Sequence, residues 1–423
     1  MKTLTCSFGS DTAEVFRTLE HSLDIAHLPR PLLPNLRSLE WHEGYSLWDA
    51  FLFLGPTLTN IHVLLRNDSL SLEGQCLLAA LRAKVPLLKG LSIESDSPTH
   101  DKELFMSDII CSLSQLCRVS CPHFVLAPCA VIHLASLPGL QKLHLQLKGI
   151  LEHIPQTSFP ALQEVSTIVD DLSTGGNHFL ALFSKSLALT DVRISTNKIP
   201  SSEQFHHFSS MIAKHCSPHN LTAIMVNLTW ELEDLVPNYA LEVHALEPLF
   251  ACSNLESLKI RTPFTYRRID NALLAKVASV WLQLQELDFV VDYCSFHHAS
   301  ADLVGLVHLS KCSCLHSVSL AFDVSLSHTM LSMDRPGNGI CHETLTTLCV
   351  GYSPITNPRA VASVLLDVFP NISSIDMWEG YGNEDQEHVD MCSSWVKMKE
   401  LYASFVGIRK QERLWAAKTD HKM

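Results

Sequence analysis

Pro138-Gly139-Leu140-Gln141-Lys142-Leu143-His144-Leu145-Gln146-Leu147 decides the fold. A Pro-Gly break precedes the phrase Leu-x-x-Leu-x-Leu. From Leu143 to Leu147 apolar and polar residues then alternate. That alternation is the signature of a β-strand with one buried and one wet face, because successive side chains point to opposite sides.

The phrase recurs. Anchoring each copy on its first apolar residue, i, gives Leu36, Leu58, Leu88, Leu116, Leu140, Leu162, Leu189, Leu221, Leu255, Leu284, Leu315, Leu345, Ile372 and Met398. Positions i+3 and i+5 read Leu39/Trp41, Leu91/Ile93, Leu143/Leu145, Leu258/Ile260 and Leu348/Val350, for example; among all the copies only Thr167 is polar. Positions i+2 and i+4 are mostly small or polar. Successive anchors lie on average about 28 residues apart, in or just above the range of leucine-rich repeats.

The intervening segments carry helical spacing: Leu72 to Val85, a segment opened by Ser202-Glu203 with Phe205, Phe208, Met211 and Ile212, Asn271 to Val280, Ala301 to Leu309, and Ala360 to Phe369. Pro86, Ser217-Pro218 and Phe369-Pro370-Asn371 break them on schedule. Strand–helix units returning in one sense stack their strands into a parallel sheet. The expected fold is therefore an α/β leucine-rich-repeat-like solenoid, with parallel strands on the concave side and helices on the convex side. Its expected division is an N-terminal cap at 1–30, an irregular solenoid at 31–405 and a C-terminal tail at 406–423. The stretches Leu172 to Asn177 and Ser327 to Ile340 interrupt the scheme as loops, and Glu379, Glu384, Asp385, Glu387 and Asp390 form an acidic patch ahead of the last unit.

Bulk properties narrow the function. With 47% hydrophobic and 18% charged residues, the 423-residue chain is of folded, globular type. A formal charge of -13 argues against nucleic-acid binding by phosphate neutralisation. The apolar runs are too short or too interrupted to span a bilayer. The 14 scattered cysteines fit reduced thiols, hence a cytoplasmic or nuclear protein.

No residue cluster spells out a reaction, so no enzyme activity, catalytic residue or cofactor is expected. Cys117, Cys121, His123 and Cys129 lack the paired spacing of a structural zinc site, and Cys294, His297 and His298 are no stronger. No metal site is expected. The Gly175-Gly176 pair lacks the Lys-Ser/Thr of a phosphate loop. Glu286 and Asp288 are carboxylates on a wet strand face, better suited to meeting a partner than to acid–base work.

Pro31-Leu32-Leu33-Pro34-Asn35-Leu36-Arg37-Ser38-Leu39-Glu40-Trp41, Phe159-Pro160-Ala161-Leu162-Gln163-Glu164-Val165 and Cys252-Ser253-Asn254-Leu255-Glu256-Ser257-Leu258 resemble the repeats of basidiomycete-type fungal F-box/leucine-rich-repeat proteins. The likeness spans roughly residues 30 to 405. It is to the repeat region only, because Met1 to Arg30 is shorter than an F-box and lacks its Leu-Pro-x-Glu opening. It implies the substrate-recognition part of an F-box ubiquitin-ligase adaptor, with a cullin-type adaptor subunit among its partners. The alternative is a repeat-only structural or inhibitory binding protein unrelated to ubiquitin.

Either way the expected role is a protein–protein interaction scaffold, with a protein partner of unknown identity and neither nucleic acid nor membrane. The expected partner-binding surface is the wet strand face, represented by Glu40, His62, Ser92, His144, Arg193, Lys259, Asp288, Asp376 and Tyr402. Ser120, Ser166, Met225, Ser319 and Cys349 complete the row.

Overall fold

The computed structural model describes residues 2–7, 31–42, 47–65, 72–95, 100–147, 159–173, 175–176, 180, 188–228, 241–261, 268–289, 299–325, 339–377 and 386–420. The chain divides into two units, Met1–Asn197 with Lys214–Asn220, and Lys198–Ala213 with Leu221–Met423. Each is an α/β leucine-rich-repeat-like solenoid.

The first unit carries strands β1 (Thr3–Ser7), β2 (Ser38–His42), β3 (Asn60–Leu65), β4 (Gly90–Ser95), β5 (Arg118–Val125), β6 (Lys142–Leu147), β7 (Glu164–Val169) and β8 (Asp191–Thr196). All pair in parallel, in chain order. Its helices are α1 (Leu72–Lys84), α2 (His100–Ser112) and α3 (Pro128–Ser136), and a 3-10 segment runs over Leu47–Phe53.

The second unit repeats the plan with β9 (Ala223–Leu228), β10 (Ser257–Arg261), β11 (Glu286–Asp288), β12 (Ser317–Ser319), β13 (Thr347–Cys349) and β14 (Ser374–Asp376), again parallel and in chain order. Helix α4 (Ser202–His215) opens it. Helices α5 (Val243–Leu246), α6 (Asn271–Val280), α7 (Leu303–Leu309), α8 (Pro358–Val368) and α9 (Gln386–Asp420) follow.

The repeat phrase fixes register. In the first unit Leu39, Ile61, Leu91, Val119, Leu143, Val165 and Val192 are mutual strand partners; in the second, Ile224, Leu258, Leu287, Val318, Leu348 and Ile375 are. All of these are buried, as are the thirteen anchors from Leu36 to Ile372. Truncating a central one such as Leu258, which is fully buried, to alanine costs about 2–5 kcal/mol. The step into each strand is equally regular. The i+1 carbonyl of one copy accepts the N–H groups of both i+1 and i+2 of the next, as when Thr59 and Asn60 donate to Arg37 O at 2.8 and 3.0 Å. Lys89 and Gly90 then donate to Thr59 O in the same way.

Helix starts in the second unit are locked by side chains. Asp270 accepts from Leu273 N (2.8 Å), Asp302 from Val304 N (2.7 Å), and Asn357 from Ala360 N (3.1 Å) with Pro358 at the first helical position. Adjacent copies are also tied together: Asn271 Nδ2 donates to Asp302 Oδ1, and Asp302 N donates to Asn271 Oδ1.

Three features differ from expectation. Thr3–Ser7 is a strand, paired with Ser38–His42, so the ladder begins inside the 1–30 segment; residues 8–30 lie outside the described residues. Lys2 O accepts from Arg37 N and Ser38 N, the same i+1 contact as in later copies. The last anchor, Met398, belongs to no strand. It sits in α9, which runs through the 405/406 boundary to Asp420. Trp395, Met398 and Tyr402 form its buried stripe, and their three- and four-residue spacing is that of a helix face. The interruption at Ser327 to Asn338 and the acidic Glu379, Glu384 and Asp385 fall outside the described residues. Among the described residues no helix is long and apolar enough to cross a membrane.

Candidate binding groove on the strand face

Burying i+3 and i+5 turns i+2 and i+4 of every strand to the opposite face. In the first unit register places Glu40, His62, Ser92, Ser120, His144, Ser166 and Arg193 side by side, at the roughly 4.8 Å spacing of neighbouring strands. The i+2 row runs parallel to it: Ser38, Asn60, Gly90, Arg118, Lys142, Glu164 and Asp191. Thr3, the i+2 row and the i+4 residues from His62 to Arg193 line a groove of about 620 Å³ that draws on all eight strands of the unit, whereas Glu40 is not part of its lining.

The groove's charges are paired along and between strands. Arg118 donates to Asn60 Oδ1 (2.7 Å), Lys142 meets Glu164 (2.5 Å), and Arg193 clasps Asp191 (2.6 Å). His62 Nδ1 and Ser92 Oγ lie 2.8 Å apart, and His144 Nδ1 and Ser120 Oγ 3.3 Å. Burial holds the His144 imidazole below the usual histidine value, with His123 and Arg193 pushing the same way and Glu94 opposing. Glu40 is held below the carboxylate range, first by the Thr5 hydroxyl that donates to it at 2.9 Å and then by His42.

In the second unit Met225, Lys259, Asp288, Ser319, Cys349 and Asp376 form the equivalent row. Here too charges are paired between neighbouring strands. Lys259 pairs with Glu286 at 2.7 Å, which holds the Glu286 carboxyl low, and Arg261 pairs with Asp288 at 2.6 Å. Asp288 is consequently buried, with only 8% of its surface exposed, so it does not present the open carboxylate expected of it. Asp376 is exposed and accepts from Ser374 Oγ.

Tyr402 is a correction. It belongs to α9 rather than to a strand, is buried, and spends its hydroxyl on the backbone of Phe369 and Ile372. It cannot meet a partner. Conversely, the expected binding row draws on i+4 alone; the i+2 residues, although they share the same wet face by the period of two, and Thr3 stand outside it, yet both line the groove. Of the cysteine cluster, Cys121 is a buried core thiol pushed up to about 12 by burial, while Cys129 is exposed on α3. Cys294, His297 and His298 lie outside the described residues.

No protein-family model matches the sequence, and no curated protein matches it. In backbone structure the chain is similar to a chain of the Rad7 and Elc1 complex of yeast (13% identity, TM-score 0.44, covering 88% of this chain and 84% of that one). It is also similar to an internalin, InlF, of Listeria monocytogenes (13% identity, TM-score 0.39, covering 89% and 96%).

Proposed function

We propose that the protein is a binding scaffold whose first unit holds an extended, polar segment of a protein partner in the groove across β1–β8. The observation that carries this reading is the groove itself: two in-register rows of polar and charged side chains lining about 620 Å³. Charges of both signs line it, Arg118 and Lys142 followed along the row by Glu164 and Asp191, which suits a ligand of mixed charge better than a polyanion. The role is binding rather than catalysis, in the cytoplasm or nucleus, where the free cysteines stay reduced.

Peptide display against the full-length chain tests it. Ligands selected on the wild type should lose affinity in an Arg118→Glu/Arg193→Glu double variant and keep it in an Arg359→Glu variant on α8. Equal binding by all three proteins rules the groove out. A finer form of the proposal is substrate recognition within a cullin-type ubiquitin ligase, supported by the style of the repeats. It predicts co-purification of the cullin and its adaptor subunit with the tagged chain; recovery of other partners without either points to the ubiquitin-independent scaffold.

A further inference from the structure

At the β1–β3 end of this face three metal-ligating side chains meet. Register sets Glu40 on β2 directly opposite His62 on β3, and His42 lies two residues beyond Glu40 on the same face. One ligand atom from each lies within 4.8 Å of the other two. Glu40 Oε1 and His42 Nε2 are 3.1 Å apart, and the two imidazole rings stand 5.8 Å apart. A tetrahedral ion with bonds of about 2.0–2.1 Å spaces its ligand atoms about 3.3 Å apart. The Glu40–His42 pair is therefore already at coordination distance, and the His62 ligand atom, within 4.8 Å of both, has to close the two remaining edges by about 1.5 Å at most.

Outer partners hold two of the three ligands. Thr5 Oγ1 donates to Glu40 Oε2 at 2.9 Å, which leaves Oε1 for an ion. Ser92 Oγ pins the His62 ring through Nδ1 at 2.8 Å. Such hydrogen bonds orient metal ligands in built sites. All three ligands are half-buried, so an ion is reachable from solvent without being fully hydrated. The paired parallel strands under them fix the backbone spacing.

We infer that Glu40, His42 and His62 form a site for a divalent transition-metal ion of the zinc class. Two imidazoles and one carboxylate suit zinc and cobalt rather than calcium or magnesium. Three protein ligands leave a fourth position open toward solvent. This goes beyond the binding role proposed above and does not depend on it.

Cobalt(II) titration of the chelator-stripped, full-length chain tests it under reducing conditions. One equivalent should bind with visible d–d bands of nitrogen and oxygen ligation, and zinc should displace it. His42→Ala and His62→Ala should each weaken binding by about a hundredfold, and Ser92→Ala by about tenfold, whereas His308→Ala leaves it unchanged. No saturable binding, a thiolate-to-cobalt charge-transfer band for the first equivalent, or wild-type affinity in both histidine variants would overturn the site. Should the alanine variants not fold, the wild type alone decides. Zinc should protect His42 and His62 from diethyl pyrocarbonate, and equal modification with and without zinc overturns the site.

Discussion

The Tyr402 hydroxyl donates to Phe369 O at 2.6 Å and accepts from Ile372 N at 3.1 Å. It thus fastens α9 to the turn between α8 and β14. Both backbone groups are enclosed, so removing the hydroxyl strands them without solvent. Tyr402→Phe should lower stability by about 1–3 kcal/mol, measured by urea denaturation. Ligand binding in the first unit's groove should not change. A variant as stable as the wild type would mean that water replaces the hydroxyl.

That contact also marks where sequence reading stops. The thirteen anchors from Leu36 to Ile372 were legible because burial imposes a period of two on each strand, and that period survives in residue types. Leu4 and Cys6 carry the same phrase behind Met1, but the short stretch reads as a terminus unless Lys2 is seen to repeat the Arg37 backbone contact. Met398-Lys399-Glu400-Leu401 fits the strand phrase and a helix stripe equally well. Only the seating of Trp395, whose Nε1 donates to Ser353 O, settles it in favour of helix. Side-chain pairings were the least legible part. Whether Asp288 is open or taken up by Arg261 depends on register between residues 27 apart, which composition does not encode.

Thr167 is the lone polar residue in an i+5 core position. It is fully buried, and its Oγ1 has no hydrogen-bond partner among the described residues. Valine has nearly the same shape without the desolvated hydroxyl. Thr167→Val should therefore raise stability by about 1 kcal/mol, read as a higher denaturation midpoint at an unchanged slope. A loss of stability would show that the hydroxyl is satisfied by a bound water.

Gly90 lies in the groove's i+2 row. A Cβ there would sit 2.5 Å from Asn60 Oδ1, the atom that receives Arg118 at 2.7 Å. Gly90→Ala should push the Asn60 amide aside and release Arg118. The lost hydrogen bond and the lower unfolded-state entropy offset each other, so stability should move by less than about 1 kcal/mol. Affinity for groove ligands should fall, more so for Gly90→Phe, whose ring fills the floor. Fluorescence anisotropy with a display-selected peptide measures both; undiminished binding by Gly90→Phe would place the ligand elsewhere.

His144 should make stability pH-dependent near neutrality. Its imidazole is held below the ordinary value of 6.5, chiefly by burial. The unfolded chain therefore takes up a proton that the folded chain resists, and stability rises with pH wherever the unfolded state binds more protons. Above about 6.5 both states are neutral at this position and it contributes no slope. As pH falls below that value stability declines, until the folded-state histidine also protonates. His215, lowered by burial and by Lys214, adds to the same slope. Glu40 and Glu286, both held low, lose their contribution only at more acidic pH, below the ordinary carboxylate value of 4.5. Urea midpoints between pH 5 and 8 should thus fall toward the acid side in the wild type and fall less in His144→Gln. The His144→Gln/His215→Gln pair should be flatter still. Parallel curves for all three proteins would show that both imidazoles protonate freely in the folded state.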